Sequence, residues 1–414
     1  VEYGAEFIHG RPPEIWEIVD AAGLTVCEVA ENHWRFQDGA LVERPDHWPR
    51  VERVMRRLEQ SMSSGATETP GEAGGKAPGR VGERDQTFQD FIAGGSGQLG
   101  EDEQMTLEYV EGFNAARADR ISAQSLVDEE RASAAVDGDR LFHVLNGYGR
   151  VAEWLLAGLD PRRSSLRLNR IVTETRWERG KVEVLTRSPV GQEVQSFVGT
   201  HGVITLPLGV LQAPPDSPGA VRFTPELEEK RDSAGRLEMG RVIKVMLRFR
   251  ERFWEDSQSR VERRGGDFSR FAFLSAPGET FPTWWSSSPV ISPALTGWAG
   301  GPPADELSHQ DERVVIGKAV ESLGRVFGLG AGRIETLLEG WRLHDWQSDP
   351  FSRGAYSYIP VGGLGAPEEL SRPVEDTLYF AGEALDSAGR SGTVHGAIAS
   401  GRRAAEALLG SLKF

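Results

Sequence analysis

The last forty residues constrain the fold more than any other stretch. Thr377-Leu378-Tyr379-Phe380-Ala381 is a short apolar run of strand type, and it stops at Gly382-Glu383. A Gly/Ser-rich loop, Ala388 to Gly392, comes next, and helical patterning then runs from about Val394 to Leu409. The small residues Gly396, Ala397, Ala399, Ser400 and Gly401 let that helix approach a sheet or a ligand closely. In α/β sheets, ligands bind where strand ends meet helix N-termini. Glu383, just past Gly382, is placed to accept hydrogen bonds from ribose or ribityl hydroxyls. The amides of Thr393 and Val394 are placed to meet an anionic or polar ring edge. On these residues alone, a purely structural strand–loop–helix accounts for the pattern equally well.

The rest of the chain mixes both element types. Val1 to Gly10 reads as a strand running into a loop, and a helix starts at Pro12-Pro13. Val51, Val54, Met55, Leu58 and Met62 share one helical face. Ser64 to Gln86 has too few apolar residues to order itself and reads as a loop. Helical patterning resumes from Phe88 to about Ala135. A hairpin turning at Glu178-Arg179-Gly180 is predicted, then a short strand at Val203–Leu206 and a longer one at Val242–Phe249. Lys244 lies within that last strand, where pattern alone makes it an outward-facing residue.

Several function classes fall away. Acidic residues exceed basic ones, 62 to 47, for a net charge of −15, which repels a phosphate backbone and argues against nucleic acid. Cys27 is the single cysteine, so neither an internal disulfide nor a multi-cysteine metal site is available. No His spacing suits a metal, and no apolar run reaches membrane-spanning length. Gly95-Ser96-Gly97-Gln98-Leu99-Gly100 matches G-x-G-x-x-G, but no βαβ unit surrounds it and Phe88 to Ala93 makes only a weak strand ahead of it. Glu101, Asp102 and Glu103 follow directly and would oppose a diphosphate, so a turn is the better reading. The chain starts at Val1 with no signal peptide, which we read as a truncation point and a cytoplasmic protein.

Taken in order, several blocks resemble the flavin-containing amine oxidases, which include monoamine, polyamine and spermine oxidases and lysine-specific histone demethylases. These are Gly4-Ala5-Glu6-Phe7-Ile8-His9-Gly10, Thr205-Leu206-Pro207-Leu208-Gly209-Val210-Leu211 and Phe223-Thr224-Pro225 with Lys244 and Phe253-Trp254. Trp346-Gln347-Ser348-Asp349-Pro350 with Gly354-Ala355-Tyr356-Ser357 follows, and Tyr379-Phe380-Ala381-Gly382-Glu383 with Gly392-Thr393-Val394-His395-Gly396-Ala397 ends the series. The resemblance implies an α/β fold. A discontinuous Rossmann-type FAD domain would be drawn from residues 1–12, 138–222 and 373–414. The substrate domain would take its helical part from 13–137 and its mixed sheet from 223–372. Family members carry a strand, a true G-x-G-x-x-G turn and a helix upstream of the first block. That segment is absent here, so the chain as it stands is expected to bind FAD poorly.

The resemblance also assigns roles. Lys244, ten residues before Trp254, corresponds to a lysine that holds a water near flavin N5. Trp346 and Tyr356, ten apart, correspond to an aromatic wall facing the flavin, and His9 to a histidine bordering the substrate. Glu6, Phe7, Val172, Gly382, Glu383, Thr393 and Val394 fall at cofactor-binding positions, Val172 where the main chain meets adenine. Thr393 stands where many members carry the opposite wall tyrosine, and Ala355 where monoamine oxidases attach flavin through a cysteine, so FAD is expected to be non-covalent. The implied reaction oxidises a small-molecule primary or secondary amine, with O2 reduced to H2O2. Alternatives are a related desaturase or oxidase of a non-amine substrate, or a non-catalytic truncated scaffold.

Overall fold

In the strand Val242–Phe249, Ile243, Val245, Leu247 and Phe249 all point into one buried cluster with Trp254, Phe271 and Trp284. The strand pairs antiparallel with Ala294–Gly300 on one side and Leu338–Leu343 on the other. Two-sided pairing makes it interior, and β-branched residues suit that position. Among the described residues this sheet has eight strands. Beyond Ala294–Gly300 come Thr283–Ser286, Phe273–Ser275, His33–Gln37, Ala40–Glu43 and Glu262–Arg264. The helix Glu312–Val326 closes the core face through Val315, Ile316, Ala319, Val320 and Leu323. Within residues 13–137, expected to give the helical part of the substrate domain, the strands His33–Gln37 and Ala40–Glu43 also extend this sheet.

A second core lies among helices His47–Ser64, Phe88–Ala93, Glu101–Phe113 and Ala123–Ala134. Val51, Val54, Met55 and Leu58 form its buried stripe, as helical spacing predicts, and Met62 packs against it. Phe88–Ala93 is a helix rather than a weak strand. The carboxylates after Gly100 occupy the first turn of Glu101–Phe113. They meet a row of arginines: Glu101 pairs with Arg44 and Arg50, Asp102 with Arg50 and Arg53, and Glu103 with Arg57.

Phe7–His9 pairs with Leu141–Val144, which also pairs with Val26–Glu28. The hairpin Ile171–Glu178 and Lys181–Arg187 turns at Arg179-Gly180. Leu378–Phe380 pairs in parallel with Gly202–Ile204, and the helix Val394–Ser411 follows. Thr393 caps that helix: its Oγ1 accepts from the Gly396 amide at 2.9 Å. Thr393→Ala is therefore expected to cost about 0.5–2 kcal/mol in denaturant melts. The computed structural model describes residues 2–64, 85–94, 99–190, 193–255 and 261–412. Residues 65–84 of the loop expected at Ser64–Gln86 and most of the Gly95–Gly100 match lie outside them. No described helix is long and apolar enough to cross a membrane.

Candidate active site

Lys244 does face away from the core cluster of its own sheet, as pattern predicts, yet it is only 3% exposed. What covers it is the loop before Phe7. Its Nζ donates to Glu6 Oε2 at 2.7 Å and to the Gly4 carbonyl at 3.2 Å. The ammonium also lies 5.6 Å from the Trp285 ring centroid. Trp285 Nε1 donates to the other Glu6 oxygen at 3.2 Å. Glu6 is thus the counter-ion of Lys244. The physical reason is that a desolvated ammonium needs a charge partner, and Glu6 is the carboxylate within reach.

Tyr356 is reached through main chain. The Gly240 amide donates to the Tyr356 carbonyl at 2.7 Å, and the Ala355 amide to the Gly240 carbonyl at 2.9 Å. Gly240 lies just before the lysine strand, so the tyrosine loop is anchored to its start. The Tyr356 hydroxyl donates to the Phe113 carbonyl. Trp298, the cross-strand partner of Lys244, donates to the adjacent Gly112 carbonyl at 2.8 Å. Trp298, beside Lys244 on the sheet, and Tyr356 therefore bond to neighbouring points at the end of one helix. Trp346 joins from the same loop. Its carbonyl accepts from Gly354, its Nε1 donates to the Tyr3 carbonyl at 3.1 Å, and its ring lies 4.3 Å from His344.

His9 and Phe7 alternate onto one face of their strand. Phe7 meets His143 at 4.6 Å and Trp285 at 5.8 Å. His9 stands edge-on to Phe113 at 5.4 Å, and Phe113 stacks on Tyr109 at 5.2 Å. Phe113 keeps 47% of its surface accessible, although His9 and Tyr109 beside it lie deep in the protein. Phe113 went unnoticed in the sequence; its only signal there is the four-residue spacing from Tyr109, which also fits ordinary core.

The C-terminal loop borders this region. A Cβ on Gly392 would sit 3.1 Å from the Tyr356 ring, and Gly392 has φ +74°, so both space and backbone favour glycine there. Glu383 accepts from Ser357 Oγ at 2.7 Å and from the Gly392 amide at 2.8 Å. Its carboxylate shapes the loop, and burial pushes its pKa up. Asp386, which sequence reasoning missed, is 1% exposed and accepts from the amides of Ala388 and Arg390. It also holds the Arg390 guanidinium at 2.8 Å, and Arg390 reaches Glu14 at 2.7 Å. Only the four-residue Asp386–Arg390 spacing hinted at this. Val172 lies apart, at a register shift in the hairpin sheet.

A cavity of about 400 Å³ opens between Gly4, Ala5, Tyr148, Val394, Ala397 and Ile398. A Cβ on Gly4 would meet no atom within 4 Å. Among the described residues, Ser391 Oγ and His143 Nε2 are two buried polar atoms near neither a donor nor an acceptor. A cavity of this size, lined mainly by apolar groups, suits an organic ligand.

Burial lowers three histidines, His9 to about 4, His33 to about 3 and His47 to about 4. An unfolded histidine takes a proton near 6.5. Below that pH the unfolded chain binds protons that the folded one refuses, so this stability is present above about 6.5 and lost toward about 4. Urea midpoints are expected to fall across that window, less steeply for His33→Phe; matching slopes for the two proteins would refute it.

A family model described as flavin containing amine oxidoreductase matches residues 1–409. Lysine-specific histone demethylase 1 homolog 3 of Arabidopsis thaliana is 31% identical over 65% of this chain and 16% of its own length. Polyamine oxidase 2 of Arabidopsis thaliana is 30% identical over 72% of this chain and 54% of its own length. The chain thus spans about half or less of these two curated relatives. Among solved structures, putrescine oxidase bound to putrescine superposes with a TM-score of 0.74 at 16% identity, over 99% of this chain and 88% of the other. Cyclohexylamine oxidase from Brevibacterium oxydans IH-35A gives 0.73 at 18% identity, over 100% and 88%. Both show a shared fold.

Proposed function

The chain belongs to the flavin-containing amine oxidoreductases, and from that footing we propose that it oxidises a primary or secondary amine. The amine becomes an imine, which water hydrolyses to an aldehyde, and O2 takes both electrons and two protons to give H2O2. The observation that carries this reading is that Trp298, the cross-strand partner of Lys244, and Tyr356 bond to the neighbouring carbonyls of Gly112 and Phe113, beside the C-terminal loop. When bound, FAD supplies the two-electron acceptor for the hydride equivalent leaving the amine α-carbon. Residues 1–12, 138–222 and 373–414 would form its domain. Gly4, His143, Gly382, Ser391, Thr393 and Val394 would border it, with the Val172 main chain at the adenine end. Ala355 beside Tyr356 offers no thiol, so attachment is non-covalent.

The residues then divide the work. The buried Lys244 ammonium, held by Glu6, stabilises negative charge that develops as oxygen is reduced. Trp346 and Tyr356 orient the amine and exclude water. His9, neutral at ordinary pH, borders the substrate without adding a competing cation.

Peroxide release from polyamines, aromatic monoamines or amino acids tests the reading; no turnover of any amine by the flavin-loaded protein refutes it. Flavin is expected in the supernatant after acid or heat denaturation, and flavin retained on the pellet would contradict non-covalent binding. Lys244→Met should slow the oxygen half-reaction by about tenfold or more while changing amine KM little. An unchanged oxygen half-reaction removes Lys244 from the mechanism.

A further inference from the structure

The eight-stranded sheet ends differently on its two sides. Glu262–Arg264 forms one edge with three residues, all charged. A short, charged edge discourages pairing with another chain. Leu338–Leu343 forms the other edge and runs for six residues. Among the described residues it pairs only with Val242–Phe249, and a strand paired on one side leaves alternate N–H and C=O groups open on the other. An open groove of about 580 Å³ follows this edge, lined by Glu312 and the strand itself. A bulge sets which side chains share a face. Phe249 lies opposite Leu338 and Arg248 opposite Gly340, so Glu339 is an extra residue in the strand. Leu338, Trp341 and Leu343 consequently pack on the core face while staying partly accessible. Glu339 turns to the other face, where it meets Arg248 at 3.3 Å, and Arg342, opposite Met246, shares that face.

We propose that this edge pairs antiparallel with the same strand of a second copy of the chain, about a two-fold axis through Trp341, so that one sheet continues across a homodimer. A two-fold axis normal to the sheet returns every residue to its own face, so it can bring together only residues of like face. Centred on Trp341, the pairing sets Leu343 opposite Leu338 of the second copy, and Arg342 opposite the bulged Glu339–Gly340 step. Apolar groups meet on the core face and a cation meets a carboxylate on the other, each twice. The bulge makes this match, because without the extra residue Leu343 would meet Glu339. Arg342 is exposed and has no carboxylate partner among the described residues; in the single chain its guanidinium bonds the Trp341 carbonyl at 2.9 Å. Pairing would exchange that bond for Glu339 of the second copy, and Glu312 adds another carboxylate to the groove. Both members of each charge pair lie on one segment, which favours a second copy over an unrelated strand.

The test is sedimentation velocity of the full chain from about 1 to about 200 µM, with amide hydrogen exchange at both ends of that range; a strand pair this short makes a small interface, so dimer is expected to appear within it. Protection of the Leu338–Leu343 amides should rise with protein concentration. Arg342→Glu should weaken dimerisation by at least about tenfold, since two attractive pairs become repulsive, while leaving the urea midpoint unchanged because the side chain is exposed. Glu339→Arg combined with Arg342→Glu reverses both signs and should restore the dimer; the Arg248 side chain, 74% accessible, has room to move aside. A chain that stays monomeric throughout overturns the proposal, and protection of the strand only by an added extended peptide would assign the edge to another protein. A dimer that Arg342→Glu does not weaken overturns it too, since that dimer uses another surface, as does one that the charge swap fails to restore.

Discussion

Glu6→Ala is expected to destabilise the protein by about 3–5 kcal/mol, because it strands a buried ammonium. The Lys244 side chain is 2% accessible and that of Glu6 18%. Without Glu6, Nζ keeps only the neutral Gly4 carbonyl and the Trp285 face. Removing both charges relieves the penalty, so Glu6→Gln combined with Lys244→Met should lie much nearer the wild type than Glu6→Ala. Urea melts of the single and double variants measure this as a coupling free energy. A coupling below about 1 kcal/mol would mean that the pair behaves as a surface ion pair, and the idea of a desolvated lysine would fail. Glu6→Ala should also slow oxygen consumption, since Lys244 loses the group that fixes its position.

Asp386→Ala is the second large effect, also about 3–5 kcal/mol, since it removes the buried partner of Arg390. One carboxylate organises two amides and a guanidinium over Asp386–Arg390, and Arg390 then fastens the loop to Glu14 on the helix Pro13–Ala22. Ser391 and Gly392 come next, with Gly392 against Tyr356 and bonded to Glu383. Loss of Asp386 should therefore weaken flavin retention together with stability. Asp386→Asn keeps an acceptor for the amides but loses the charge, so it should fall between. Urea melts alongside flavin release on gel filtration check both. Unchanged melting with Asp386→Ala would show that the loop is held by something else.

Local elements were legible where pattern and chain connectivity agree. The lysine strand runs over Val242–Phe249 as predicted, the helix stripe from Val51 to Leu58 is buried, and the terminal strand, loop and helix follow in order. The strands at His33–Gln37 and Ala40–Glu43 were not read, because short alternating runs among helices give little periodic signal. The pairing of Glu6 with Lys244 was not read, since nothing near Glu6 in the chain shows that Lys244 lies beside it.

By itself the sequence determined which segments alternate, which present an apolar stripe, and which residue types stand at the strand ends and in the terminal loop. Those properties depend on backbone periods of two and 3.6 residues, which act over short distances. Only the tertiary structure decided that Lys244 is buried, that Glu6 neutralises it, and that aromatic rings from five separate stretches of chain come into contact. Desolvation and ring contact depend on what lies across space, and one turn of a pleat sends the same lysine toward water or toward a carboxylate according to what packs on that face.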